Sequence, residues 1–440
     1  MFKKWIALLV VMCLMTTIIG CAKTDGDNKE EGSSNVVTDG DKNKGSDSDD
    51  EKKPEEPVTI EYMTFSASPD HIEDLEEMIA AFETAHPTIK VEYDAVGWND
   101  YFTKLQTAMA GDNAPDTFEL NYETFVTYAS KGVLKDLSPY LKDVDTSVYD
   151  QTALDAFKYE GTQYGLVESF SNVVFFYNKD LFDQAGVAYP TKDWTWEDEL
   201  EAAKTLTNEK EGIWGTYSPI QFWEFYKTIE QNGGKVFDDN GNVVINSPEN
   251  VETLQWMIDK IDQHKVTPSD AQMSGQKSED LFMAGKIAMM RTGIWMFGMF
   301  ADAPFAWDIT LEPGNTQKAH HFFSNGVAVS NKSKHADAAF KWISFLTSSK
   351  EATEIRVNAS WELPAVSDKA VLYTYLEKEP PASREIVFEA LETLVVPPVI
   401  EQWNELTDAV GKELEAAKYG TKSPQEALDA AKAAIEKIIK

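Results

Sequence analysis

Residues 58–93 read VTIEYMTFSASPDHIEDLEEMIAAFETAHPTIKVEY, and the order of patterns in this stretch decides the fold class. Val58-Thr-Ile60-Glu-Tyr62 alternates apolar and polar residues, as a half-buried strand does. Ser68-Pro69 then opens a helix, because proline suits the first helical turn. Ile72, Leu75, Ile79 and Phe82 fall on one face of that helix, and Pro87 ends it. Residues 89–93 alternate again. Strand, helix and strand make a βαβ unit, so the sheet is expected to be partly parallel, with a right-handed crossover.

The same grammar continues outward. A second helix is expected over 100–109, and a Gly111-Asp-Asn-Ala-Pro115 turn leads into a short strand at 117–120. Another helix runs to Lys131, with Gly132 as its stop. Residues 173–177 read as a buried strand, and Thr195-Trp-Glu-Asp198 as a capping box opening a helix. An Asp238-Asp-Asn-Gly241-Asn turn should join hairpin strands at 235–237 and 243–245, and its acids do not match calcium-loop spacing. Ser278 is expected to cap a short helix before a strand at 287–290. A strand at 326–329, a helix at 336–346 and a last helix opened by Ser423-Pro424 complete the pattern. Alternating strands and helices imply α/β layers. About 380 globular residues exceed one core of roughly 250–300, so two domains are expected.

The N-terminal segment follows different rules. Lys3 and Lys4 precede an apolar run over 5–14 that is too short to span a bilayer, then small and branched residues to Gly20. Residues 1–20 read as a secretory signal. Cys21, after Ile18-Ile19-Gly20, resembles the acylated cysteine of bacterial lipoproteins, whose acyl chains anchor a protein to the membrane. Residues 21–57 are nearly free of aliphatic and aromatic side chains, so they read as a disordered tether. The second cysteine, Cys13, lies in the signal, so no disulfide is expected.

The formal net charge of −34 argues against nucleic acid, whose phosphates need basic partners. Arginine occurs only at 291, 356 and 384, which disfavours capture of an anionic ligand and favours a neutral or cationic one. The six histidines show no metal-binding spacing, and His320-His321 on a strand would point to opposite faces. There is no nucleophile elbow and no glycosidase signature, so neither catalysis, metal nor cofactor is expected.

Six stretches carry a family resemblance: AFETAHPTIKVEY, AGDNAPDTFELNYETFVTYASKGVLKDLSPYL, YGLVESFSNVVFFYNKDLFDQAGV, WTWEDELEAAKTLT, LFMAGKIAMMRTGIWMF and GVAVSNKSKHADAAFKWISFL. Their order resembles family 1 of the extracellular solute-binding proteins, the sugar-binding subunits of ABC importers related to maltose-binding protein. The resemblance implies an α/β periplasmic-binding-protein fold with two lobes, a hinge and an interlobe ligand cleft. Carried over, lobe one holds 58–168 plus 300–350, and lobe two holds 172–298 plus 355–440. It implies a neutral carbohydrate as ligand, ABC permease subunits as partners, and a monomer held at the extracellular face of the cell membrane. A surface sugar sensor, or less readily a hydrolase, is the alternative.

A sugar offers hydroxyls, which want carboxylates and amides, and C–H faces, which want a flat ring. Twelve tryptophans in an acidic chain suit that combination. Trp295, in RTGIW, matches the family's stacking tryptophan. Trp223 matches an aromatic upstream of Gly233-Gly234, or else is buried with Phe222, Phe225 and Tyr226. Trp361 precedes a Leu-Pro turn where relatives present a ligand contact. Glu123 matches an acidic ligand residue after the Pro115-Asp116 strand, with Asn121 and Tyr122 beside it. The arginine that follows that acid in maltose-binding protein is Thr124 here, which speaks against a maltodextrin. Glu168 is an approximate match near the first crossover; either glutamate could instead be an N-cap or a solvated loop residue. Trp98, Phe170, Gln221 and Trp403 are secondary candidates.

Overall fold

The computed structural model describes residues 56–440. The signal segment, Cys21 and the tether lie outside the described residues.

Nine strands build two sheets: β1 (Val58–Thr64), β2 (Ile89–Ala95), β3 (Thr117–Asn121), β4 (Gly165–Ser171), β5 (Val173–Asn178), β6 (Met289–Gly293), β7 (Trp307–Thr310), β8 (Phe323–Val329) and β9 (Leu363–Pro364). The larger sheet has the order β9-β4-β8-β3-β1-β2. β1 pairs in parallel with β2 from Val58↔Ile89 to Thr64↔Ala95, and also in parallel with β3. The βαβ reading is therefore met. β8 runs antiparallel to both β3 and β4, and β9 antiparallel to β4. The C-terminal ends of β1, β2, β3 and β4 thus share one edge with the N-terminal ends of β8 and β9. In open α/β sheets ligands sit outside the carboxyl ends of the strands.

The connecting helix Pro69–Ala85 buries Leu75, Met78, Ile79 and Phe82 against this sheet, with Pro69 in its first turn. Ile72 is only half-buried. The core of the larger sheet joins these residues to Tyr62, Phe118, Phe125, Phe157 and Trp342.

The smaller sheet, β6-β5-β7, is antiparallel. Its aromatic core gathers Phe176, Phe282, Phe297, Phe300 and Trp307. A separate helical core contains Phe225, Ile229, Leu254, Leu414 and Leu428, closed by the last helix, Pro424–Ile438.

Several sequence expectations shift. β7 pairs with β5, so 307–310 belongs with the smaller sheet, whereas the resemblance put 300–350 wholly in lobe one. The 287–290 strand is displaced to Met289–Gly293, and Ile287 makes only an isolated bridge to Trp214. The 235–245 segment turns as expected but forms one bridge, Phe237↔Val243, in place of hairpin strands. Lys277, not Ser278, occupies the N-cap of the short helix, and its side chain makes no cap bond. Thr195 does form its capping box with Asp198.

Candidate functional site

The shared edge of the larger sheet carries a run of amides and carboxylates. Asn121 ends β3 and is paired in register with Asn325 of β8. The Asn121 Nδ2 donates to Glu123 Oε2 at 2.5 Å, and the Thr124 hydroxyl donates to Asn121 Oδ1 at 2.5 Å. Glu123 is 2% exposed. Burial pushes its carboxyl up to about 7, although its own backbone amide and Asn121 pull the other way. On the neighbouring strand, Asn325 Nδ2 donates to Glu362 at 3.1 Å, and the Ser169 hydroxyl donates to the same carboxylate. Glu362 immediately precedes β9 and is also held above the usual carboxylate range by burial.

Beside this polar run lies a group of rings. His321 stacks on Phe323 at 4.9 Å and 16°. Trp223 lies 5.4 Å from His321 and 6.4 Å from Phe323, and Trp295 lies 5.9 Å from Phe323. Trp223, Trp295 and Phe323 are half-buried, so each keeps surface to offer. Gln221 fixes the Trp223 indole by accepting from Nε1 at 2.6 Å. His321 Nε2 donates to the Trp223 carbonyl, which leaves Nδ1 an unprotonated, buried acceptor without a hydrogen-bond partner. Burial and the Lys227 charge keep this imidazole well below its usual pKa, hence neutral. Tyr226 adds a buried hydroxyl that likewise lacks a hydrogen-bond partner, flanked by the charges of Glu123 and Glu224.

Gly293 explains why a glycine precedes this tryptophan. Its backbone is in the ordinary extended region, so no unusual φ demands glycine. A Cβ there would lie 1.9 Å from the Trp295 ring, so glycine is needed for the indole to fold back over the strand end.

Other predicted residues go elsewhere. Trp361 is 4% exposed, stacked on His71 at 4.2 Å, with the Arg356 guanidinium 4.3 Å from its ring centroid. Its ring is thus engaged inside the protein and does not join the open aromatic group. Glu168 is buried and accepts from Arg356. It sits where the β8–β4 register slips by one residue, between Asn325 and Gly326. Trp403 is buried against Phe222 and Tyr226, behind the open rings. Tyr122 is half-buried near Phe157, and Phe170 is half-buried opposite Leu363.

All three arginines are consumed internally. Arg291 makes a bidentate pair with Glu199 at 2.8 and 2.5 Å. Burial would raise the Glu199 pKa, but the charges of Arg291 and Lys260 outweigh it and hold the carboxyl at about 2. Arg356 pairs with Glu168, and Arg384 lies over Tyr375 and donates to Ser360. No guanidinium therefore serves as an exposed anion fork. Among the described residues no cluster of three or more His, Cys, Asp or Glu is arranged to hold a metal. Hollows of about 370 Å³ beside Gly233 and Asp238, and about 680 Å³ beside Ala81 and Phe345, lie away from this site.

The model for bacterial extracellular solute-binding proteins matches residues 68–353. The chain belongs to that family. Among solved members, the ABC substrate-binding protein of Listeria monocytogenes, in complex with cycloalternan, is 52% identical, with a TM-score of 0.84 over 87% of this chain and 99% of its own. The arabinooligosaccharide-binding protein of Halalkalibacterium halodurans is 24% identical over 308 residues, 67% of this chain and 68% of the relative. The diacetylchitobiose binding protein of Streptomyces coelicolor is 25% identical over 420 residues, 92% of this chain and 90% of the relative. The two-lobed α/β architecture of the solute-binding proteins is the fold of this chain, and family and fold are those of substrate-binding proteins.

Sequence reading singled out Trp223, Trp295, Asn121 and Glu123, which the structure brings to this sheet edge, and did not single out His321, Phe323, Asn325 or Glu362, which lie beside them. His321 was weighed only as a metal ligand. Glu362 stands beside Trp361, and only the pairing of β9 with β4 turns it toward Asn325.

Proposed function

We propose that this protein captures a neutral oligosaccharide at the cell surface and delivers it to an ABC permease. The observation that carries the reading is the meeting, at one edge of the larger, mixed sheet, of half-buried rings with uncharged amides and buried carboxyls. Trp223, Trp295 and Phe323 suit the C–H faces of sugar rings. The Tyr226 hydroxyl and His321 Nδ1 supply a donor and an acceptor to sugar hydroxyls. The enclosed arginines support a neutral ligand. The 52% identity to a protein holding cycloalternan favours a glucan oligosaccharide.

The mechanism has no chemical step. One lobe is built on the larger sheet and the other on the smaller sheet with the helical core, and the chain passes between them after β4, between β7 and β8, and after β9. Both lobes contribute to the site: Asn121, Glu123 and Asn325 come from the first, Trp223 and Trp295 from the second. These groups are largely covered, so entry needs the lobes to part, and a ligand bridging both favours closure. The closed form docks on the permease, with the chain working as a monomer tethered through lipid on Cys21.

A thermal-shift and calorimetric titration with cycloalternan tests this. A ligand at 100 times its Kd should stabilise the fold by about 2.7 kcal/mol. Absence of any shift across cycloalternan and a panel of linear glucans, with tight binding of a peptide or an anion, would overturn the reading.

A further inference from the structure

The aromatic group at β8 does not account for every ring at the ligand edge. Trp98 is 50% exposed, the only tryptophan of the exposed class among the described residues. It opens the helix Trp98–Ala110, just after β2. Its position is fixed from beneath. Phe65, immediately after β1, meets its indole edge-to-face at 5.0 Å and 81°, and Phe102 does so at 5.2 Å and 88°. Phe65 is itself pinned, because its backbone N–H donates to the buried Glu119 carboxylate at 3.1 Å. The Val96 N–H donates to the Thr64 carbonyl at 2.9 Å and ties the two strand ends together. An exposed indole held by this much structure is a rigid surface, with little rotamer freedom left to lose on binding.

Its place in the sheet gives the surface a direction. Phe323 heads β8, and two strand intervals separate β8 from β1 in the order β8-β3-β1. Neighbouring strands lie about 4.8 Å apart, so Phe65 at the end of β1 sits roughly 10 Å along the same edge, with the Trp98 indole beside it after β2. Asn121 and Glu123, at the end of β3, fill the interval with hydrogen-bonding groups. Ring, polar strip and ring in line is the surface an extended sugar chain presents in complement.

We infer that Trp98 is a second stacking platform, taking a hexose unit of the bound oligosaccharide beyond the one held by Trp223, Trp295 and Phe323. The inference rests on the proposed function and adds to it a site longer than one sugar ring. Its occupant is an uncharged pyranose, because the side chains that brace the indole are the Phe65 and Phe102 rings, and Lys104 of the same helix is paired with Asp94.

The test is calorimetric titration of cycloalternan into the full chain, the Trp98→Ala and Trp98→Phe variants, and a Tyr373→Ala control. Tyr373 is 67% exposed on a helix that bears no site residue. Trp98→Ala should weaken binding about fivefold to tenfold, Trp98→Phe should restore most of it, and Tyr373→Ala should leave it unchanged. The melting temperature of Trp98→Ala should stay that of the unaltered protein. Equal affinity in Trp98→Ala overturns the platform and leaves the oligosaccharide reading intact. No binding of any glucan by the unaltered chain overturns both. A change of oligomeric state in Trp98→Ala, read by light scattering, overturns the platform in favour of a contact between two copies of the chain.

Discussion

Arg356 donates from the helix Lys350–Ala359 to Glu168 in β4, 188 residues away in sequence, and both side chains are almost wholly buried. The pair ties the helix between β8 and β9 to β4 of the larger sheet. It also holds Trp361 in place, since the guanidinium lies over that indole. Burial, then the neighbouring Glu168 charge, pushes Glu119 well above the usual carboxylate range, so Arg356 faces a close pair of acids.

Removing one partner of a buried ion pair strands the other charge, at a cost of about 3–5 kcal/mol. Arg356→Ala should therefore unfold at markedly lower urea than the unaltered protein. Glu168→Gln paired with Arg356→Met should recover most of the loss, because the uncompensated charge is gone. A single Arg356→Ala variant within about 1 kcal/mol of the unaltered protein would show that the pair is not enclosed.

Trp295 depends on the residue two positions before it. Gly293→Ala puts a methyl group where the indole lies, so the ring must swing out of the site. We expect Gly293→Ala to weaken cycloalternan binding about as much as Trp295→Ala does. Stacking of this kind contributes about 0.5–1.5 kcal/mol, roughly a twofold to tenfold change in Kd. Tight binding by Gly293→Ala alongside weak binding by Trp295→Ala would mean that the indole reaches the ligand from another rotamer.

The Thr195 capping box closes the helix Trp196–Leu206, with Asp198 Oδ2 accepting from the Thr195 N–H at 2.8 Å and Thr195 Oγ1 accepting from the Asp198 N–H at 3.3 Å. Thr195→Ala should cost about 1 kcal/mol in chemical denaturation, with sugar affinity unchanged. A loss below a few tenths would show that the helix end is satisfied by water instead.

These contrasts mark what the sequence can and cannot disclose. The capping box, the βαβ unit and Gly132 are local, fixed by residues within one turn or one strand of each other, and each was legible. Trp223, Trp295 and Glu123 were singled out through motif order over most of the chain, and the structure sets the two indoles around Phe323 and Glu123 against Asn121 at the end of β3. Trp361 sits in a matching motif, yet its ring is occupied by His71 and Arg356. Nothing within a few residues of Trp361 announces His71, which arrives from the first helix of the other end of the chain. Glu168 is similar: a one-residue slip between β8 and β4 decides where its carboxyl goes, and register slips leave no mark in a hydrophobic pattern.

Glu123 offers a pH test with a defined sign. Its carboxyl is raised from 4.5 to about 7 by burial, so the folded protein favours the protonated acid more than the unfolded chain does. That contribution is fully present below the unfolded pKa and is lost as pH rises through the folded value, so the window runs from about pH 4.5 to about pH 7. Across it the stability difference between the unaltered protein and Glu123→Gln should drop by on the order of 3 kcal/mol, against the unaltered protein. Gln keeps an acceptor for Asn121 Nδ2 but cannot ionise, so subtracting its curve removes Asp74, Glu119 and Glu362, which are raised in both proteins. Urea titrations at half-unit steps of pH measure it. A difference that stays flat over that range would mean that the carboxylate is solvated, and one that grows with pH would mean that an unseen cation pairs with it.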